Sequence, residues 1–272
     1  MTPPVLAGRD NLVDRKSESW RPPVFGKADG KWASLTLWGR RFLDLQASSI
    51  WMDLKLVLSA CQGSVLDVGC GAQPYRRLLP SNVRYTGIDT VDAQANFGYT
   101  IPETIYFEGD VWPIASGSID TVIATEALEH VLRPEQFLAE ARRVLKPNGW
   151  LVLTVPFAAR WHYIPHDYWR FTPSGLNQVM ANAGLSVPMV YARGNEITVA
   201  CYKVMALILM LLLGQWPALK IQVVARLTGV LFLPVLFCLS IVGQISLRSR
   251  GGNDCLGYTA IVSMVDKSTG IA

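Results

Sequence analysis

Charge is scarce in this sequence. Only 17% of its 272 residues are Asp, Glu, Lys or Arg, while half are hydrophobic and the mean hydropathy is +0.25. That composition excludes disorder over most of the chain, because it supplies ample apolar surface to bury. Nor is there a large basic excess: 25 Lys and Arg against 21 Asp and Glu leave +4, too little to indicate a nucleic-acid partner without a clustered basic surface. Paired cysteines are missing too. Cys61, Cys70, Cys201, Cys238 and Cys255 are odd in number and contain no CxxC, which points to a reducing compartment and no zinc site, and no metal centre is expected. The start of the chain lacks an apolar run behind a basic cluster. MTPPVLAGRDNLVDRKSESWRPP is polar and broken by prolines, so residues 1–33 read as a loose arm and not a signal peptide.

What is present falls into three textures. From Ser34 to Ala60 apolar residues recur at helical spacing (Leu35, Trp38, Phe42, Leu45, Ile50, Leu54, Val57), predicting one or two amphipathic helices. Next come short Val/Ile/Leu runs, SVLDVGC, VRYTGID, IDTVIAT and WLVLTVPF. They end near Gly, Asp or Pro and alternate with helical stretches such as EQFLAEARRVL, the pattern of crossover units on a largely parallel sheet. Lys146-Pro147-Asn148-Gly149 reads as a turn before the last of these strands. Finally, Ile197 to Asn253 holds no Asp or Glu at all while carrying Lys203, Lys220, Arg226, Arg248 and Arg250. The two final strands, expected near Leu185 to Tyr191 and Gly257 to Val265, flank that apolar module.

The first strand runs into Asp67-Val68-Gly69-Cys70-Gly71, an acid and two close glycines at a strand-to-helix turn where a ligand can approach the backbone. A second acid, Asp89, ends the next strand at the offset of about 20 residues used by acids that bind ribose hydroxyls. Both features point to an adenosine ligand. A dinucleotide loop would have a third glycine where Pro74 stands, and Asp67 beside the loop would repel a pyrophosphate. S-adenosylmethionine, with no phosphate and two positive groups, suits it better.

VLDVGCGAQPY, YTGID, FEGDVWPIASGSIDTVIATEALEHV and ARRVLKPNGWLVLTVPF together resemble the successive motifs of class I S-adenosylmethionine-dependent methyltransferases. They are most similar to the type 11 group, which includes ubiquinone-biosynthesis-like enzymes. The resemblance implies an α/β, Rossmann-like sheet of seven strands with helices on both faces, the last strand antiparallel and inserted between its neighbours. The apolar helical insert then lies between strands 6 and 7. It further implies that Asp67, Gly69 and Gly71 hold the methionine part of the cofactor, Asp89 its ribose, and Asp110 and Val111 its adenine. Thr125 and Glu126 are implied to stand beside it. The QPY after Gly71 departs from relatives that carry another glycine there.

Methyl transfer to oxygen or nitrogen often needs a base, and the chain has three histidines. Two stand in WHYIPHDYWRF, directly after the strand ending at Pro156. In one reading of that segment His166 is the base with Asp167 as its orienter, His162 and His130 are further candidates, and Trp161, Tyr168 and Arg170 bind the acceptor. In the other, Arg170 pairs with Asp167 and the segment is a structural cap. The Thr125-Glu126-Ala127-Leu128 stretch lacks the Asn/Asp-Pro-Pro-aromatic segment of nucleic-acid adenine methyltransferases, so no nucleic acid is expected.

Leu227 to Leu247 is an uncharged run long enough for a ~30 Å hydrocarbon core at ~1.5 Å per residue, with Pro234 expected to kink it. Gln215 to Leu227 reads as amphipathic, with Trp216, Leu219, Val223 and Leu227 on one face. The expected organisation is a loose arm at 1–33, a methyltransferase domain at 34–196 and 254–272, and a membrane-associating insert at 197–253. The catalytic domain would then lie on the cytoplasmic face of a membrane, acting by O-methylation on a quinone precursor or lipid-linked saccharide. Two alternatives stand: a cytosolic small-molecule methyltransferase whose insert dimerises, and an inactive membrane-anchored cofactor-binding scaffold.

Overall fold

The computed structural model describes residues 12–18, 33–92 and 101–264. Most of the expected N-terminal arm, and the end of the chain from 265 on, lie outside these. The first helical texture resolves into two helices, α1 (Ala33–Leu43) and α2 (Leu45–Leu58), parted where Asp44 caps α2 by accepting the Ala47 amide at 3.1 Å.

The sheet comprises β1 (Ser64–Val68), β2 (Arg84–Thr90), β3 (Thr104–Phe107), β4 (Ile119–Thr125), β5 (Leu145–Pro156), β6 (Met189–Arg193) and β7 (Gly257–Ser263), in the order β3-β2-β1-β4-β5-β7-β6. Strands β1 to β5 pair in parallel, whereas β7 runs antiparallel to both neighbours, β5 and β6. This is the topology the motifs imply. Strand alternation sorts the core onto two faces. Val65, Ile123 and Val152 meet Ile50, Leu54 and Leu58 of α2 on one face. Leu66, Val122 and Leu151 face the other way, packing with α3 (Pro134–Val144) through Leu138 and Ala141 and with α4 (Pro173–Asn182) through Leu176 and Met180. Because the strand order reverses between β1 and β4, their C-terminal ends open a crevice, the place where open α/β sheets bind ligands.

The expected turn at 146–149 is instead an irregularity within β5. Ile119 pairs with Leu145, the next pair is Thr121 with Trp150, and the extra residues bulge out. Asn148, not Gly149, adopts the left-handed conformation (φ +63°), and its amide donates to Met264 O at 2.7 Å. The last two strands also shift: the first begins four residues later than expected and ends at Arg193, and the second ends at Ser263.

Between β6 and β7 stand three helices, α5 (Glu196–Leu213), α6 (Leu219–Leu231) and α7 (Leu233–Ser246). Asn195 starts α5 through a capping box with Thr198. The Leu227–Leu247 run is not one kinked helix: it breaks at Phe232, and α6 and α7 lie 53° apart. Pro234 explains the restart, since a residue without an N–H fits only the first turn of a new helix. Helices α5 and α7 share a core with the N-terminal region. Leu45 is fully buried among Val199, Met205, Ile208, Leu236 and Leu247, and Ser48 Oγ donates to Gln244 Oε1 at 2.9 Å. Helix α6 behaves oppositely, leaving Leu219 80%, Leu227 65% and Leu231 74% exposed.

Candidate active site

After β1 the chain turns through Gly69 and Gly71, both at positive φ (+69° and +50°). A Cβ on Gly69 would lie 2.9 Å from that of Ala127, so glycine is required there by contact as well as by backbone conformation. The turn is held by an acid from the next strand. Asp89 Oδ2 accepts the Gly71 amide at 2.9 Å, and Oδ1 accepts that of Thr90 at 2.8 Å. Asp67, at the end of β1, is buried and accepts the Tyr85 hydroxyl at 2.8 Å. Burial pushes the Asp67 carboxyl up to about 7, the Tyr85 hydroxyl opposing and the nearby Asp89 charge adding. Burial raises Asp89 as well, against its two amide donors.

These elements open onto a cleft of about 400 Å³ whose walls include Gly69, Gly71 and the acids Asp89, Asp92, Asp110 and Glu126. Among the described residues the one Lys or Arg lining it is Arg133, which pairs with Asp110 at 3.2 Å. A cleft so acidic fits a cationic adenosine ligand such as S-adenosylmethionine and disfavours a pyrophosphate. Of the expected cofactor residues, Asp67 and Thr125 stand behind the cleft wall, and Val111 is 69% exposed and does not line it; its neighbours Asp110 and Trp112 do.

Glu126 is the hinge of the site. It follows β4 with φ +49° and lines a second cavity of about 470 Å³ as well as the cleft. Its Oε1 accepts Arg193 Nη2 at 2.7 Å. Arg193, 2% exposed at the end of β6, also donates to Ser49 Oγ and to Val155 O. The second cavity runs between the N-terminal helices and α5, where Tyr202, Met205, Leu209 and Leu213 form an apolar wall.

The loop after β5 settles into the cap arrangement. Arg170 grips both Asp167 oxygens at 2.6 and 2.7 Å and also donates to Arg160 O. Glu18, from the N-terminal segment, ties the same loop by bonding Arg160 and the Tyr163 amide. Burial raises the Asp167 carboxyl, but the Arg170 and His162 contacts outweigh it and hold it well below the usual carboxylate range. Asp167 orients His162 (Nδ1 to Oδ2 3.0 Å), whereas His166 Nδ1 faces the Tyr168 hydroxyl at 3.2 Å. Arg170 locks the loop, and neither it nor Trp161 nor Tyr168 lines the cleft or the second cavity. His130 and His166 line the cofactor cleft, and His162 lines the second cavity. Burial lowers His130 to about 4, outweighing its bond to the His166 carbonyl.

Sequence reasoning passed over two groups. Arg193 ends an otherwise unremarkable strand, and its signal was a lone cation where a strand enters the core. Glu129 is 0% exposed, and neither of its carboxylate oxygens has a hydrogen-bond partner among the described residues. Burial, with the Glu126 charge, raises it well above the usual range against its own backbone amide.

Sheet order, glycine turn, ribose-type acid and acidic cleft define a class I S-adenosylmethionine-dependent methyltransferase domain. Residues 66–153 match the family described as "Methyltransferase domain", and they form a type 11 domain of that class. An uncharacterized 37.1 kDa protein in transposon TN4556 of Streptomyces fradiae is 36% identical over 115 residues, 39% of this chain and 32% of its own length. The human mitochondrial ubiquinone biosynthesis O-methyltransferase is 28% identical over 158 residues, 46% of this chain and 42% of its own. The chain thus spans less than half the length of these curated relatives. A solved SAM-dependent methyltransferase from Aquifex aeolicus aligns at 18% identity over 57% of this chain and 86% of that one, with a TM-score of 0.42.

Proposed function

We propose that the chain transfers the methyl group of S-adenosylmethionine to an oxygen of a lipid-borne acceptor held in the second cavity. One observation carries this reading: the apolar cavity and the acidic cleft share Glu126, so a ligand in each would meet at one point. Bound in the cleft, S-adenosylmethionine supplies an electrophilic methyl on a sulfonium. Asp89 would hold its ribose and the glycine turn its amino-acid part, with Asp67 adding negative charge from behind. The acceptor's apolar portion would lie along α5 toward Leu213, whose side chain is half exposed. The human relative, a ubiquinone biosynthesis O-methyltransferase by name, is in keeping with an apolar acceptor. The test is transfer of labelled methyl from cofactor to a membrane-lipid extract by the purified protein. Label in the organic phase supports the reading, and label confined to water-soluble acceptors replaces it with a cytosolic small-molecule enzyme. No transfer to any acceptor, with cofactor bound, indicates a scaffold.

The exposed helices supply the route to a membrane. Helix α5 is long and apolar enough to cross a membrane, but its Val199, Met205 and Ile208 are committed to the protein core. Helices α6 and α7, at 13 and 14 residues, reach about 20 Å each at ~1.5 Å per residue, short of a ~30 Å core. In this reading the bent pair enters one leaflet, with Arg248 and Arg250 near anionic headgroups and the domain on the cytoplasmic face. The chain should float with anionic vesicles, and Leu227→Asp with Leu231→Asp should lower partitioning by at least about tenfold, given ~2.5–3.5 kcal/mol for an acid in hydrocarbon. Flotation unchanged by the double substitution would move the contact elsewhere. A wild-type chain that stays with the solvent and sediments as a dimer would make this face a subunit interface.

Asp67 gives the reading a pH dependence. Its folded pKa lies above the unfolded ~3.9, so its contribution to stability is greatest at low pH and declines as pH rises from about 4 toward 7. Cationic cofactor favours the ionised form. Affinity should therefore rise by up to about tenfold per unit as pH approaches 7, then level off, and calorimetric titration across this range measures it. Asp67→Asn should flatten that slope, and a slope retained in the variant would assign the dependence to another group.

A further inference from the structure

Glu129, buried with no hydrogen-bond partner for its carboxyl oxygens among the described residues, does not stand alone. One ligand atom each from Glu129, His130 and His162 lies within 4.8 Å of the others, and His130 Nε2 is 3.8 Å from Glu129 Oε1. The two rings arrive from different segments, His130 from the turn after β4 and His162 from the loop after β5. They share a second property. His130 Nδ1 contacts the His166 carbonyl, and His162 Nδ1 lies 3.0 Å from both Arg160 O and Asp167 Oδ2. These neighbours are acceptors, so each Nδ1 carries the proton; the Arg170 donor near His162 Nδ1 is more distant at 3.4 Å. In the neutral ring that leaves the Nε2 lone pair as the one available to a ligand. A backbone carbonyl behind one histidine and a carboxylate behind the other is the outer arrangement that fixes tautomer and orientation in metal-ligating histidines.

We infer that Glu129, His130 and His162 form a binding site for one divalent transition-metal ion of the zinc class, at the junction of the cofactor cleft and the acceptor cavity. Two imidazoles and a carboxylate make a three-ligand set that leaves a coordination position open, as catalytic sites do. Ligation at ~2.0–2.1 Å requires the ligand atoms to draw together to roughly 3.3 Å, a movement that the partly exposed rings can make. Glu126 and Asp167 lie nearby but are each paired with an arginine, Arg193 and Arg170, so the charge available to an ion comes from Glu129 itself.

The ion's role rests on the methyl-transfer reading; its binding does not. An acceptor hydroxyl in the open position would lose its proton to solvent near neutral pH. Its oxygen would then form the new C–O bond as the S–CH3 bond breaks, the electron pair returning to sulfur.

The test needs no acceptor and no turnover. Full-length protein stripped with a chelator is titrated with Co²⁺, followed by its visible d–d absorption, and Zn²⁺ is then added in competition. The expected result is a saturable band at one Co²⁺ per chain, displaced by Zn²⁺ and not by Mg²⁺. Glu129→Gln, which preserves shape, and His162→Asn, at a partly exposed position, should each abolish the band or weaken Zn²⁺ binding by about 100-fold or more. If Glu129→Gln does not fold, His162→Asn decides alone. No band in the wild-type chain, or a band kept in the folded variants, overturns the site. Cofactor affinity measured on the same metal-free samples reports separately on the methyltransferase reading.

Discussion

Glu126→Ala is expected to destabilise the fold by about 3–5 kcal/mol, the effect of removing one member of a buried ion pair and leaving the other charge without its partner. The Arg193 side chain is wholly buried, and its nearest carboxylate oxygen is Glu126 Oε1 at 2.7 Å. Ser49 and Val155 would remain as neutral partners, unable to balance a cation in that setting. The positive φ at residue 126 is as unfavourable for Ala as for Glu, so the difference reports the ion pair and not the backbone. Denaturant unfolding measures it. Adding Arg193→Met to the same chain should recover part of the loss, because exchanging both partners for apolar groups removes the stranded charge. A loss below about 1 kcal/mol, the range of exposed pairs, would mean that water reaches the guanidinium.

The second large effect is on ligand affinity. Asp89→Ala should weaken S-adenosylmethionine binding by at least about 100-fold, since charge-assisted hydrogen bonds contribute ~1.5–3 kcal/mol each and the ribose can receive two. Asp89 acts twice in this site. It lines the cleft, and its oxygens hold the Gly71 and Thr90 amides that shape the turn. Asp89→Asn separates these roles: its one carbonyl oxygen can serve one amide, and its NH2 has the wrong polarity for the other. Calorimetric titration beside a thermal melt makes the comparison. Unchanged affinity in the alanine variant would remove Asp89 from the cofactor site.

The sheet and the cleft were legible because their signals are local. A buried strand followed by Asp67, Gly69 and Gly71 constrains a turn within a few residues, and Asp89 follows from the length of one crossover unit. The histidine roles were not legible, because they depend on which neighbour Asp167 chooses. His162 and His166 both lie within five residues of it, and a bidentate bond to Arg170 turns the carboxylate toward His162. Cysteine spacing likewise carried no information about Glu129, His130 and His162, whose proximity arises only when the loops after two neighbouring strands fold over the same sheet edge. The 146–149 bulge shows the reverse failure: strong turn residues were absorbed into a strand because their flanks had sheet partners. Arg193 escaped notice because its partners, Ser49, Glu126 and Val155, come from three distant segments.

The hairpin of β6 and β7 has a consequence for the order in which the molecule is assembled. Residues 194–256 must all be synthesised before β7 exists, yet β7 is the strand that joins β5 to β6. Until then β5 has one open edge and β6 has no partner in the sheet. During synthesis from the N-terminus, the glycine turn and the β1–β4 crevice can form early, while the Arg193–Glu126 pair must wait for the last strand to bring β6 alongside. Closing so long a connection is entropically slow, and docking α5 and α7 onto α2 shortens the search by bringing the two ends of the hairpin together. A nascent chain halted before Gly257 would therefore display an incomplete sheet beside its most apolar helices. Emergence of β7 would be the event that commits this domain to its native form.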